Sequence, residues 1–245
     1  MTNLVCLVPI YKANLEPLEQ FSLDHSLTTL AGVPLLFIAP EGLDTSFYSE
    51  RYGGKVRFFD PHCFSSVHNY SRLLMSESFY NSFLNYEFML ILQPDVFVFR
   101  NDLAYWVERP FDYIGAPWPD GFELRVNLGK FDGPLGKLVK AQVGNGGFSL
   151  RRTQKCLNLI REFPEAATVF TKTGSNEDLF FSVMGSLSND FVIPNEITAS
   201  CFATELKPEY YYQVNNGRLP MGTHAWWRCN LEFWKRHLPP LPVIL

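Results

Sequence analysis

Three polar islands interrupt apolar stretches of this chain. Gln93-Pro94-Asp95 separates Phe88-Met89-Leu90-Ile91-Leu92 from Val96-Phe97-Val98-Phe99. Gly144-Asn145-Gly146-Gly147 precedes Phe148-Ser149-Leu150-Arg151, and Asn176-Glu177-Asp178 opens the run Leu179-Phe180-Phe181. A carboxylate at the end of a buried strand, a glycine loop and a second carboxylate at a helix start suit one chemistry, the metal-assisted transfer of a sugar from a nucleotide donor.

Each island has a physical basis and a plainer rival. Pro94 cannot donate a ladder hydrogen bond, so it ends a central strand and leaves Asp95 at that strand's carboxyl end. Ligands of open α/β sheets collect there. A carboxylate in that place can hold Mg²⁺ or Mn²⁺, which accept few protein ligands and take the rest from phosphate and water. A Pro-Asp turn between two strands accounts for the same residues. Asn176 can cap a helix whose dipole favours Glu177 and Asp178 in the first turn, and a carboxylate mounted there can also take the proton of an attacking hydroxyl. Glycines at 144, 146 and 147 permit close approach of the backbone to a ligand, or simply a hairpin. The run lacks the G-K-[ST] ending of a P-loop and the spacing of a dinucleotide fingerprint.

The elements that must position these residues follow from the apolar pattern. Buried strands are expected at residues 5–10, 33–39, 55–59 and 88–92, with helices over 21–30 and over 67–84, where apolar residues recur at helical spacing. Strand and helix alternate over the first hundred residues, which implies a mainly parallel sheet. The second half reads as a short strand at 111–115, a long loop over 117–136 rich in Gly, Pro and Asp, and helices over 153–163 and 179–187. Asn69, Tyr70 and Arg72 fall early on the helix after the third strand, where Arg72 can pair with a phosphate or stay in solvent. Late in the chain, Gly222-Thr223-His224-Ala225-Trp226-Trp227 offers His224 as a metal ligand or a structural imidazole. Trp226, Trp227 and Trp234 offer a sugar platform or a core edge.

Composition excludes several classes. The net charge is −4 with scattered Lys and Arg, which argues against a nucleic-acid partner. Five dispersed cysteines without a C-x-x-C pair read as reduced thiols, hence a cytoplasmic protein. No signal peptide or membrane span is expected, and no H-E-x-x-H supports zinc peptidase chemistry. The apolar end from Leu238 to Leu245 is at most a peripheral membrane contact.

The ordered set Y-S-R-L-L (70–74), L-Q-P-D-V-F-V-F (92–99), D-Y-I-G-A-P-W (112–118), V-G-N-G-G-F-S-L-R (143–151), N-E-D (176–178) and G-T-H-A-W-W (222–227) resembles a bacterial and viral family of glycosyltransferase-like proteins catalogued as a domain of unknown function. The resemblance spans most of the chain. It implies a single glycosyltransferase A-type domain over 1–245, Rossmann-like, with a mainly parallel mixed sheet flanked by helices. Its nucleotide-binding part would lie at about 1–100 and its acceptor part at about 101–245.

By that resemblance Asp95 is the last position of a strand-end D-x-D motif, with Gln93 in place of the first acid, and His224 completes the site for Mn²⁺ or Mg²⁺. Asp178, next to Glu177, matches the base of inverting enzymes. Pro9, Ile10, Tyr11 and Lys12 would lie against the nucleotide base, a UDP-sugar being the favoured donor. Trp118, Asn145, Gly146 and Gly147 would face the donor sugar or the acceptor, a glycan hydroxyl that can be lipid-linked at the inner face of a membrane. The rival classes are a sugar-phosphate nucleotidyltransferase, which normally carries a Gly-rich basic loop after strand one where this chain has Pro9-Ile10-Tyr11-Lys12, and a non-catalytic sugar-binding module.

Overall fold

The computed structural model of the protein describes residues 3–127 and 136–242. A six-stranded sheet forms its centre. Strands β1 (Leu4–Pro9), β2 (Leu35–Pro40), β3 (Lys55–Phe59) and β4 (Phe88–Leu92) run parallel in the order β3-β2-β1-β4. β5 (Phe97–Val98) leaves this sheet, and β6 (Tyr113–Val126) and β7 (Lys137–Arg152) complete it as an antiparallel pair beside β4. β8 (Ala203–Thr204) and β9 (Gly222–Thr223) join β5 in a small second sheet of order β5-β9-β8.

β1 and β4 are unbroken apolar runs because helices cover both faces of the sheet. Helices Val67–Leu74, Glu77–Asn81, Thr153–Glu162, Pro164–Thr173 and Glu177–Gly185 bury Leu74, Phe79, Leu157, Phe170 and Phe180 against one face. Helices Pro17–Thr29, Ser46–Tyr52, Leu103–Val107 and Glu196–Phe202 bury Leu23, Tyr48, Trp106 and Phe202 on the other. Local signals start and stop these helices. Pro17 takes a first-turn position behind a Glu16–Glu19 capping box, and Gly53 closes Ser46–Tyr52 in the left-handed conformation.

Three expectations are corrected. The helix over 67–84 is two helices, because the Ser76 hydroxyl accepts from the Phe79 N–H and caps a new start. The short strand and long loop over 111–136 are instead one strand, β6, as far as Val126, while residues 128–135 lie outside the described residues. Its pairing with β7 slips between Ile114 and Phe122, and this irregularity hides the alternation that marks a strand. Gly144 to Gly147 lie within β7 rather than in a loop, with Asn145 opposite Ala116.

The late aromatic segment forms a third core. Trp226 and Trp234 are fully buried with Phe97 and Phe233, and Trp226 Nε1 donates to Ser22 Oγ at 2.9 Å. These two tryptophans are core residues, not a sugar platform. Leu238 and Leu241 pack on the same cluster, while residues 243–245 lie outside the described residues. No helix among the described residues is long and apolar enough to cross a membrane.

Candidate functional site

Asp95 emerges where β4 ends. The Gln93 N–H still donates to the Gly147 carbonyl at 3.0 Å, and the Val96 N–H closes a turn onto the Gln93 carbonyl at 3.0 Å. That turn places the Gln93 and Asp95 side chains together, and β9 delivers His224 to meet them. His224 Nε2 lies 3.0 Å from Gln93 Oε1 and 3.1 Å from Asp95 Oδ1. Its Nδ1 lies 2.7 Å from Glu205 Oε2, which also accepts from the Asn145 amide. Arg228 approaches from the exposed side, its Nη1 3.5 Å from Asp95 Oδ2.

The electrostatics follow from these contacts. Burial alone would raise the Asp95 carboxyl, but His224 and Arg228 hold it below the ordinary carboxylate range. Burial opposes a charged His224, yet the hydrogen bonds to Asp95 and Glu205 outweigh it and push the imidazole up to about 10. Among the described residues no three His, Cys, Asp or Glu side chains form a metal cage. The set that converges on His224 Nε2 is mixed: one imidazole, one carboxylate and the amide oxygen of Gln93.

The glycine run joins this corner to the second carboxylate. Successive β7 residues face opposite sides of the sheet. Asn145 and Gly147 meet Glu205 and His224, whereas Gly144 and Gly146 meet Trp118 and the start of helix Glu177–Gly185. The sequence assigns the space over these glycines to a ligand; in the structure the protein's own side chains fill it. A Cβ on Gly147 would stand 2.4 Å from His224 Nε2, and one on Gly144 would stand 2.4 Å from the buried Trp118 ring. Gly147→Ala is therefore expected to displace the imidazole and cost about 1–3 kcal/mol of stability, read by urea denaturation. An unchanged midpoint would show that the ring has room elsewhere.

Glu177 and Asp178 are adjacent in sequence and differ in surroundings. Glu177 Oε1 pairs with fully buried Arg151 at 3.0 Å, and its Oε2 accepts from Ser71 Oγ at 2.9 Å. Arg151 also donates to Tyr80 and Ser149, at 3.2 and 3.0 Å. Both oxygens of Glu177 are thus committed to a buried network. Asp178 is only partly buried, and its Oδ1 accepts from the Leu179 N–H at 2.7 Å. Burial and then the Glu177 charge push its carboxyl up to about 7, against the pull of the Leu179 and Gly146 amides and Arg151.

Pro9 and Ile10 close β1, and Tyr11 beyond them exposes its ring, 58% accessible. Lys12 is turned back to Glu19 at 2.7 Å. On helix Val67–Leu74, Asn69 gives its amide to Ser65 at 2.7 Å and Arg72 is exposed, so Ser71, between them, is the residue that reaches the second carboxylate cluster. A cavity of about 690 Å³ lies away from these groups, beside Asp24, Thr28, Arg51 and Tyr52. Its charged groups satisfy one another, since Arg51 and Tyr52 both donate to Asp24.

Residues 53–224 match the model of a family described as protein of unknown function (DUF5672). The chain belongs to this family. The matched span carries Asp95, the glycine run, Glu177, Asp178, Glu205 and His224, and stops short of Arg228. No curated protein matches the chain in sequence. Among solved structures it is similar to apo mouse xyloside xylosyltransferase 1, at 13% identity and a TM-score of 0.52, covering 90% of this chain and 96% of that one. It is similar to the apo glycosyltransferase GlyE of Streptococcus pneumoniae, at 13% identity and a TM-score of 0.51, covering 91% of this chain and 54% of that one. The bifunctional glycosyltransferase WbbM matches at 13% identity with a TM-score of 0.52, covering 91% of this chain and 46% of that one. The chain therefore spans about half the length of the latter two. At such identity the likeness shows the fold, which is of the glycosyltransferase A type in this member of the family.

Sequence reasoning missed two residues of this corner, Arg228 and Glu205. Glu205 follows a two-residue strand, too short for periodicity to reveal. The one available signal for Glu205 is an acid placed directly after the small apolar stretch Phe202-Ala203-Thr204.

Proposed function

We propose that this chain is a Leloir-type glycosyltransferase that moves a sugar from a nucleotide-sugar donor, a UDP-sugar being favoured, to a glycan acceptor hydroxyl with inversion. The observation that carries this reading is the corner at the end of β4. Two oxygens, Gln93 Oε1 and Asp95 Oδ1, lie 3.0 and 3.1 Å from His224 Nε2. Neighbouring ligands each about 2.1 Å from a six-coordinate divalent cation stand about 3 Å apart, so this donor set fits Mg²⁺ or Mn²⁺. The carboxylate and amide oxygens suit either ion, and the imidazole favours Mn²⁺. When bound, the cation supplies neutralisation of charge on the leaving diphosphate.

The chain's own residues have separate tasks in this scheme. Arg228, exposed beside Asp95, offers the diphosphate a planar hydrogen-bond fork. Tyr11 offers an exposed ring to the nucleotide base at the end of β1, the strand next to β4. Asp178 takes the proton of the acceptor hydroxyl as the new glycosidic bond forms, because a base that titrates near the working pH is the most effective. The structural likeness to three glycosyltransferases supports this reading at the level of fold.

A thermal-shift screen of nucleotide sugars with and without Mn²⁺ tests it. A donor at about a hundred times its Kd adds about 2.7 kcal/mol to the folded state, enough to raise the unfolding temperature by several degrees. UDP-sugars are expected to do so only with Mn²⁺ or Mg²⁺, and release of UDP should follow when acceptor is supplied. Pyrophosphate release, or stabilisation by free sugars alone, would overturn the reading. Arg228→Ala is expected to raise the donor KM about tenfold or more, the worth of one hydrogen bond to a charged group, without lowering the unfolding temperature. An unchanged KM would remove Arg228 from the donor site.

A further inference from the structure

We propose that Glu205 is a positioning residue for His224, fixing the imidazole so that its Nε2 is directed at the cation corner formed with Gln93 and Asp95. The inference rests on the metal-assisted reading above and adds to it a residue outside its donor set.

The small sheet brings the two residues together. β8 and β9 run parallel with Ala203 opposite Gly222 and Thr204 opposite Thr223. The next residue of each strand, Glu205 and His224, therefore emerges side by side from the same end of the sheet. Each chain then turns away through a left-handed non-glycine residue, Lys207 at φ 47° and Ala225 at φ 49°. Such backbone is costly and persists only where the surroundings fix it. Lys207 stands at the start of helix Pro208–Val214, its side chain in an exposed ion pair with Asp120 at 2.9 Å, and Ala225 sits buried at the start of helix Trp226–Trp234.

Glu205 is held from several directions. Its Oε2 receives the His224 Nδ1–H at 2.7 Å and the Asn145 amide, and its Oε1 receives the Cys229 Sγ–H at 3.8 Å. Gly147 closes the opposite side of the ring, since a Cβ there would stand 2.4 Å from Nε2. The imidazole thus has one nitrogen committed to Glu205, its plane fixed by β7, and the other nitrogen directed at Gln93 and Asp95, where it releases its proton on taking a cation. A carboxylate that accepts one ring N–H fixes the tautomer and makes the other nitrogen the better ligand, an effect typically worth about 10–100-fold in metal affinity.

The test is Mn²⁺ binding, followed by the electron paramagnetic resonance signal of the free ion in the presence of UDP. Wild type, Glu205→Ala and Glu205→Gln are compared, with thermal unfolding in the absence of Mn²⁺ as the measure of fold. Glu205→Ala is expected to weaken Mn²⁺ binding about 10–100-fold. Glu205→Gln keeps an oxygen to accept the Nδ1–H and is expected to recover part of that loss, a graded rescue that a purely structural role would not produce. If the folded variants bind Mn²⁺ within twofold of wild type, the inference is overturned while the metal site stands. If wild type itself binds no Mn²⁺ with UDP, the metal-assisted reading fails and Glu205 falls with it.

Discussion

Asp178→Asn is expected to lower turnover by about 10²–10⁴-fold, the usual worth of a general base, with donor and Mn²⁺ binding unchanged. The same substitution should stabilise the protein at pH 8. The Asp178 carboxyl stands near 7 in the folded chain, above the ordinary value of about 3.9 for an unfolded aspartate. A folded value raised in this way favours folding fully only below the unfolded value, and the contribution is lost as pH rises through 7. At pH 8 the folded protein must therefore hold an ionised carboxylate in a poor environment. Asparagine removes that charge while keeping an oxygen for the Leu179 and Gly146 amides. Each pKa unit corresponds to about 1.4 kcal/mol; with partial solvent screening, a gain of about 2 kcal/mol is expected at pH 8 and little near pH 4. Wild-type kcat should rise with pH and level off above about 7. Normal turnover in Asp178→Asn, or stability that falls equally at both pH values, would remove Asp178 from the chemistry.

The residues around this base show what a sequence reveals and what it hides. β1 and β4 were legible because a strand covered on both faces must be apolar throughout, and Pro94 marked where β4 ends. Asp95 and His224 were each nameable, but 129 positions separate them, and the contact depends on β9 pairing antiparallel with β5 just beyond Asp95. Strands of two residues carry no periodicity, so neither that contact nor Glu205 had a local signature. The glycine run was visible and its occupants were not. Glycine density signals that something approaches the backbone closely, and it cannot distinguish a sugar from Trp118 or His224. The β6–β7 hairpin was hidden for a different reason: its register slips three times, so Gly, Pro and Asp fall where a regular strand would alternate.

Glu177→Gln separates the scaffold from the chemistry. Consecutive helical residues point about 100° apart, so at one helix start Glu177 can enter the core while Asp178 stays at the site. Arg151 is fully buried and Glu177 is the acid that pairs with it, so removing that charge leaves a cation without its counter-ion. Breaking such a pair typically costs about 3–5 kcal/mol, and this loss is expected in urea denaturation. Glutamine keeps an oxygen for an Arg151 N–H, which favours the lower end of that range and leaves folded protein to assay at low temperature. The folded variant is expected to retain turnover and to shift its pH dependence. The Glu177 charge helps to raise the Asp178 carboxyl, while Arg151 pulls it down. Loss of the first and release of the second act in the same direction, so the inflection of kcat should fall below about 7. An inflection that stays or rises would show that the two carboxylates do not share a field. Turnover abolished in a folded Glu177→Gln, with Asp178→Asn active, would make Glu177 the base.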